Sequence, residues 1–305
     1  MSSDTQKLVK PKYKRQQFLL SFIQELDEPC KAVELQKLLF LYLTYNNLEY
    51  YDFVPYRFGG YSIQVAADIK VLARFGWVKE TEEIIQYTGS KKLGFSLPLP
   101  ITQIGIPIKE QLPNKRGNEL IKFVYQKYPY YAINSTIAES LLTKKDFAPI
   151  RAERSRLKEQ IDQVLFTIGY EGKSIEAYLN SLIQNNIAVL CDVRYNPLSR
   201  KLGFSKNKLQ KYLKNIGIEY VHIPELGIVP EKRASLSTTK DYQELFMDYR
   251  ASLTHREKAL NQVYTLLQTK NRIALTCFEC EPVMCHRHIV RDYLKITHHI
   301  KTQDL

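Results

Sequence analysis

The stretch RIALTCFECEPVMCHRHIVRDY, residues 272–293, decides how the second half of this chain reads. Ile273, Ala274 and Leu275 run together and a polar loop follows at once, the pattern of a short buried β-strand. From Cys285 onward, Ile289, Val290, Tyr293, Leu294 and Ile296 recur at helical spacing, so a helix opens at Cys285-His286-Arg287. One strand-loop-helix turn therefore gathers Cys277, Glu279, Cys280, Cys285, His286, Arg287 and His288. Free amide groups and the positive end of a helix dipole favour an anion or a thiolate at such a turn.

Working outward, strands are expected over 164–169, 187–193 and 219–223, and helices over 174–184, 205–215 and 241–268. Strands alternating with helices mean βαβ crossovers, so residues 161–305 read as an α/β, Rossmann-like domain with a mostly parallel sheet covered by helices. Ligands in such sheets bind beyond the carboxyl ends of the strands. The residues just past those ends are Tyr170 to Lys173, Asp192 to Arg194, His222 to Glu225 and Cys277 to Glu279. All four sets are polar or reactive, and one rim is expected to hold them.

Four motifs carry a resemblance: TIGYEGKS at 167–174, CDVRYNPLSRKLGFSK at 191–206, GIEYVHIPELG at 217–227, and C-x-E…CHR at 277–287. In this order and spacing, residues 165–294 closely resemble the family catalogued as domain of unknown function 488. Its pattern falls on Gly169, Asp192, Arg194, Pro197, Ser199, Phe204, His222, Pro224, Leu226, Gly227, Cys277, Glu279, Cys285, His286 and Arg287. Cys280 and His288 lie outside it. The resemblance implies no particular reaction.

The residues themselves offer several chemistries. Cys285, at a helix N-terminus beside His286 and Arg287, is the candidate nucleophile. Asp192, Glu279, His286 and His222 are the acid/base candidates. Arg194 and Arg287 present guanidinium forks to a phosphate or carboxylate, with Tyr170, Lys173 and Ser199 nearby. Against this stands a structural reading: ion pairs at strand ends, and cysteines packed as small buried residues. Cys277, Cys280, Cys285 and His288 form a weaker candidate zinc set, since metal sites usually join two separated ligand pairs and these share one short loop. No other cofactor is indicated. Arg200, Lys201 and Lys206, continued by Lys208, Lys211 and Lys214, make a basic run in which Phe204 or Tyr195 can stack on a base; a solvated face is the plain alternative. Residues 228–240 form a long connection of the kind that serves as a lid.

The first half reads differently. Residues 1–15 look like a flexible basic arm. Apolar positions then mark helices near 18–26, 32–45 and 63–72, followed by strands around the basic turn Gly89-Ser90-Lys91-Lys92. Three helices and a hairpin are the order of a winged helix, assigned here to 16–112. The PYRFGGYS stretch resembles winged-helix domains related to the SocA type of antitoxin. Lys70, Arg74, Lys91 and Lys92 are the candidate nucleic-acid contacts. Residues 113–160 read as a helical connector.

Composition bounds the rest. The 305 residues suffice for two domains. No apolar run approaches the roughly 20 residues that span a bilayer, and the first residues lack the apolar core of a signal peptide. A cytoplasmic protein without a membrane partner is expected. Five cysteines, three of them in one loop, point to metal or catalytic use rather than disulfides. A formal charge of +12 favours an acidic partner. These features together lead us to expect a nucleic-acid-targeting protein, DNA before RNA, whose α/β domain acts on a nucleic acid, nucleotide or modified base, as suits bacterial defence against foreign DNA. A nucleotide-sensing regulator without turnover and a metal-binding scaffold are the alternatives.

Overall fold

Phe18, Leu19, Phe22, Ile23 and Leu26 are all buried along one helix, Lys14–Leu26 (α1), as their spacing requires. The computed structural model describes residues 10–82, 84–88, 108–233 and 238–305. It divides the chain into two compact units, residues 1–153 and 154–305.

In the first unit, α1 is followed by Ala32–Tyr45 (α2) and a hairpin of Val54–Tyr56 (β1) and Gly59–Tyr61 (β2). Ser62 caps Ile63–Arg74 (α3) by accepting the Val65 N–H at 3.2 Å. A second hairpin pairs Val78–Glu80 (β3) with Ile85–Tyr87 (β4). Ile108–Gln111 (α4), Gly117–Lys127 (α5), Ala138–Leu141 (α6) and Lys144–Lys158 (α7) complete the unit.

The expected order of three helices and a hairpin is present, with two differences. Gly59-Gly60, read as a turn, lies in β2 of an additional hairpin. The closing hairpin pairs β3 with β4, ahead of the expected turn at Lys91 and Lys92, which lies outside the described residues. The arm also reaches less far than 1–15. Arg15 already belongs to α1, where its Nε donates to buried Asp68 at 2.8 Å, and Gln17 donates to the Pro11 carbonyl at 2.7 Å. Leu120 and Val124 of α5, expected in a connector, sit in the same core as Leu38, Tyr42 and Trp77.

The second unit runs Val164–Gly169 (β5), Ile175–Gln184 (α8), Val189–Asp192 (β6), Lys206–Asn215 (α9), Glu219–His222 (β7), Thr239–Ser252 (α10), Glu257–Lys270 (α11), Arg272–Cys277 (β8), His286–His298 (α12) and Lys301–Asp304 (β9). Its five strands form one parallel sheet in the order β7-β6-β8-β5-β9. β5, β6 and β8 are buried along their whole length, as strands covered by helices must be. The edge strand β9 was not expected. Register sets Gly169 beside Cys277, and Asp192 beside both Thr276 and His222. The carboxyl ends of four strands thus meet along one edge. Among the described residues, no helix is long and apolar enough to cross a membrane.

Candidate active site at the carboxyl edge of the sheet

Beyond those strand ends lies a cavity of about 520 Å³. Tyr170 follows β5, the loop after β6 supplies Arg194, Tyr195, Asn196, Leu198, Ser199 and Arg200, Cys277 ends β8 with Phe278 just beyond, and His286 opens α12; all contribute to its lining. Three stretches far apart in sequence, at Tyr170, at 194–200 and at 277–286, therefore deliver polar side chains to one hollow.

Two glycines let the loops close over it. A Cβ on Gly169 would stand 1.8 Å from the Glu279 carbonyl oxygen, so only glycine lets the 278–280 loop press against the end of β5. The Phe278 carbonyl there accepts from the Tyr170 and Glu171 amides. A Cβ on Gly227 would stand 2.3 Å from the Tyr195 backbone nitrogen, which brings the loop after β7 onto the loop after β6.

Cys277 and His286 lie side by side at the wall of the cavity. The His286 Nε2 lies 3.1 Å from the Val193 carbonyl, which can only accept, so Nε2 carries a proton. The other ring nitrogen then faces sulfur: Nδ1 lies 3.9 Å from Cys277 Sγ and 3.9 Å from Cys285 Sγ. Glu279 Oε2 is 3.2 Å from Cys277 Sγ on another side, and that contact also carries a proton. A hydrogen bond from the Cys285 thiol, then the charge and hydrogen bond of His286, hold the Cys277 thiol well below its usual range despite burial. Burial, then the adjacent Cys277 sulfur, push Cys285 in the opposite direction.

This reverses the order of the two cysteines. Cys285 was the expected nucleophile because it starts a helix; the helix does start there, but the side chain is sealed in the core. Cys277 lines the cavity.

The two arginines expected to bind anions are largely committed elsewhere. Arg194 donates from Nε to Asp192 Oδ1 at 2.8 Å and from Nη2 to Oδ2 at 2.5 Å, while Nη1 donates to the Tyr170 hydroxyl and the Phe204 carbonyl, both at 2.9 Å. Asp192 also accepts from the Tyr220 hydroxyl at 2.7 Å and has no exposed surface. This carboxylate anchors the arginine that walls the cavity; as a base it would have to give up both partners, Arg194 and Tyr220. Arg287 is buried and does not line the cavity. It donates to Thr167 Oγ1 at 3.2 Å, to the Glu279 carbonyl and to the Cys280 carbonyl, fixing the loop behind Cys277.

His222 Nε2 contacts the Arg194 carbonyl at 2.9 Å, and its Nδ1 faces Lys206 Nζ at 3.2 Å. It therefore supports the loop from outside the cavity. Lys201 Nζ donates to the Tyr170 carbonyl at 2.6 Å, and Lys173 approaches the Leu305 carbonyl at 3.5 Å. Ser199 and Arg200 line the cavity. Phe204 is fully buried and stacked on Tyr170 at 4.3 Å, so it cannot stack on a ligand. Tyr195 and Phe278, 49% and 43% exposed, supply free aromatic faces instead. Phe278 was not singled out from sequence; its position just past a strand end was the available signal.

The weaker zinc set is not assembled. Cys280 is exposed, and His288 turns its Nδ1 to the Cys285 carbonyl and its ring edge to Phe246. A different trio, Cys277, Cys285 and His286, holds its ligand atoms within 4.8 Å of one another. In the first unit, Lys70 and Arg74 are exposed on α3.

Fold and site together define a parallel α/β domain with a thiol-imidazole pair at the carboxyl edge of its sheet. Residues 174–294 match the family described as Domain of unknown function DUF488. No curated protein and no solved structure matches the chain.

Proposed function

We propose that the second unit is a cysteine-dependent enzyme acting on a nucleotide, a nucleic acid or a modified base, with Cys277 as nucleophile and His286 as its proton partner. One observation carries the reading: His286, its Nε2 spent on Val193, turns Nδ1 to Cys277 at the wall of an open cavity. A thiolate so held attacks an electrophilic carbon, and His286 or Glu279 returns a proton to the leaving group. Aromatic faces at Tyr195 and Phe278, with Arg200 beside them, suit a substrate that joins a planar ring to an anionic group.

Delivery to nucleic acid, DNA before RNA, is the role proposed for the first unit. The net charge of +12 and the exposed Lys70 and Arg74 on α3 support it. Such a pairing suits defence against foreign DNA. The test is turnover of a panel of nucleotides and modified DNA by the full chain. Cys277→Ser is expected to abolish product formation and the covalent adduct seen by intact mass, whereas Cys280→Ser keeps both. Equal behaviour of the two variants removes the enzyme reading and leaves a nucleotide sensor.

A second reading is favoured by the Cys277, Cys285 and His286 trio, which offers two thiolates and an imidazole to a zinc ion with one position open to the cavity. The Nε2 contact to a backbone carbonyl would then orient a ligating histidine. Elemental analysis of protein purified without chelator separates the two. One zinc per chain, lost in Cys285→Ser, favours metal.

A further inference from the structure

Lys37 lies on α2 among leucines and has 2% of its surface exposed. Its Nζ donates to the Gly60 carbonyl at 2.9 Å. Among the described residues no carboxylate lies within ion-pair reach of it, and a buried ammonium without a counter-charge is expensive. Burial lowers its pKa to about 7.

Lys37 is not sealed off on every side. It is among the residues lining a pocket of about 390 Å³ bounded by α2, the β1–β2 hairpin and α3. Arg57 and Lys70 stand at the same pocket, against one carboxylate, Glu80. Tyr56 and Tyr61 line it as a stacked pair with ring centroids 5.3 Å apart, and Phe58, 45% exposed, lies between them in sequence. Three cationic side chains and three aromatic rings therefore converge on a concave surface large enough for a small molecule.

We propose that this pocket binds a small anionic ligand with a planar aromatic body, its charge met by Lys37, Arg57 and Lys70 and its ring packed on the Tyr56, Phe58 and Tyr61 side. The ligand's anion is the counter-charge that the buried amine lacks, so occupancy holds the hairpin carrying Gly60 against α2. The site is separate from the thiol-imidazole cavity and stands whether or not that cavity is catalytic. A phosphate on a nucleotide and a carboxylate on an aromatic acid share the required chemistry.

Equilibrium dialysis of the full chain against adenosine monophosphate and against benzoate distinguishes the two sources. Saturable binding of either probe is expected, weakened at least tenfold by Lys37→Gln and about threefold by each of Arg57→Gln and Lys70→Gln. Arg57 and Lys70 are exposed, so their variants decide the matter even where Lys37→Gln does not fold. Cys277→Ser is expected to leave this binding unchanged. Absence of saturable binding for both probes overturns the proposal, as does affinity and stoichiometry unchanged by Arg57→Gln and Lys70→Gln.

Discussion

At the scale of single residues, environment decided the roles that residue type alone left open. Both Cys277 and Cys285 lie beside His286, each sulfur 3.9 Å from its Nδ1. Burial beneath α12 takes Cys285 out of use, and its thiol becomes a hydrogen-bond donor to Cys277. Sequence placed both cysteines on one turn and ranked Cys285 first from the helix start, because which side chain faces the cavity is not visible in spacing. Asp192 shows the same limit. Its position at a strand end marked it as an acid/base candidate, yet Arg194 and Tyr220 occupy both of its oxygens. Asp192→Ala leaves a buried guanidinium unpaired and is expected to cost about 3–5 kcal/mol in urea unfolding. A loss of less than about 1 kcal/mol would show that the pair is not a structural anchor. Lys37 gives a pH test. Its folded pKa lies near 7, below the unfolded 10.5, so the folded state releases its proton first. The destabilisation is complete below pH 7 and is relieved as pH rises toward 10. The stability of wild type relative to Lys37→Met is therefore expected to rise by on the order of 1 kcal/mol per pH unit between pH 7 and 9. A flat difference contradicts a buried amine.

At the scale of elements, the strand-loop-helix turn through Cys277 and Cys285 was legible because strand and helix periodicities meet there with no intervening domain. The loop between them was not, since its shape is set by distant partners. Gly169 admits it from one side, and Arg287 ties its carbonyls from another. Arg287→Lys keeps the charge but loses the fork that spans Glu279 and Cys280. The variant is expected to leave far-ultraviolet circular dichroism intact while raising amide exchange at 278–281 and lowering turnover about tenfold or more. Exchange unchanged at that loop would contradict the tie. β9 was missed because Lys301–Asp304 is polar and has no apolar period. It is held instead by main-chain pairing to β5 and by Asp304, which accepts from Thr167 at 2.6 Å and pairs with Arg291.

At the scale of the whole molecule, composition gave a basic chain and the alternation of strands and helices gave the α/β class of its second unit. Neither indicated the pocket of the first unit, because Lys37 interrupts an otherwise apolar helix without breaking its pattern. The proposed nucleic-acid contact makes a measurable demand. Affinity for a short duplex is expected to fall with salt, with a log-log slope of about −0.9 for each phosphate contacted. Lys70→Gln with Arg74→Gln is expected to reduce that slope by about two. A slope unaltered by both changes places the contact elsewhere.

The account turns on the ionisation of one sulfur. Carbamidomethylation of the full chain by iodoacetamide, followed cysteine by cysteine with mass spectrometry from pH 5 to pH 9, reads it directly. Cys277 is expected to reach its plateau rate well below the pH at which an ordinary thiol does, with its titration moved upward in His286→Gln, while Cys285 stays unlabelled throughout. A Cys277 that reacts only as pH approaches 9, the ordinary range of a thiol, contradicts the thiol-imidazole pair.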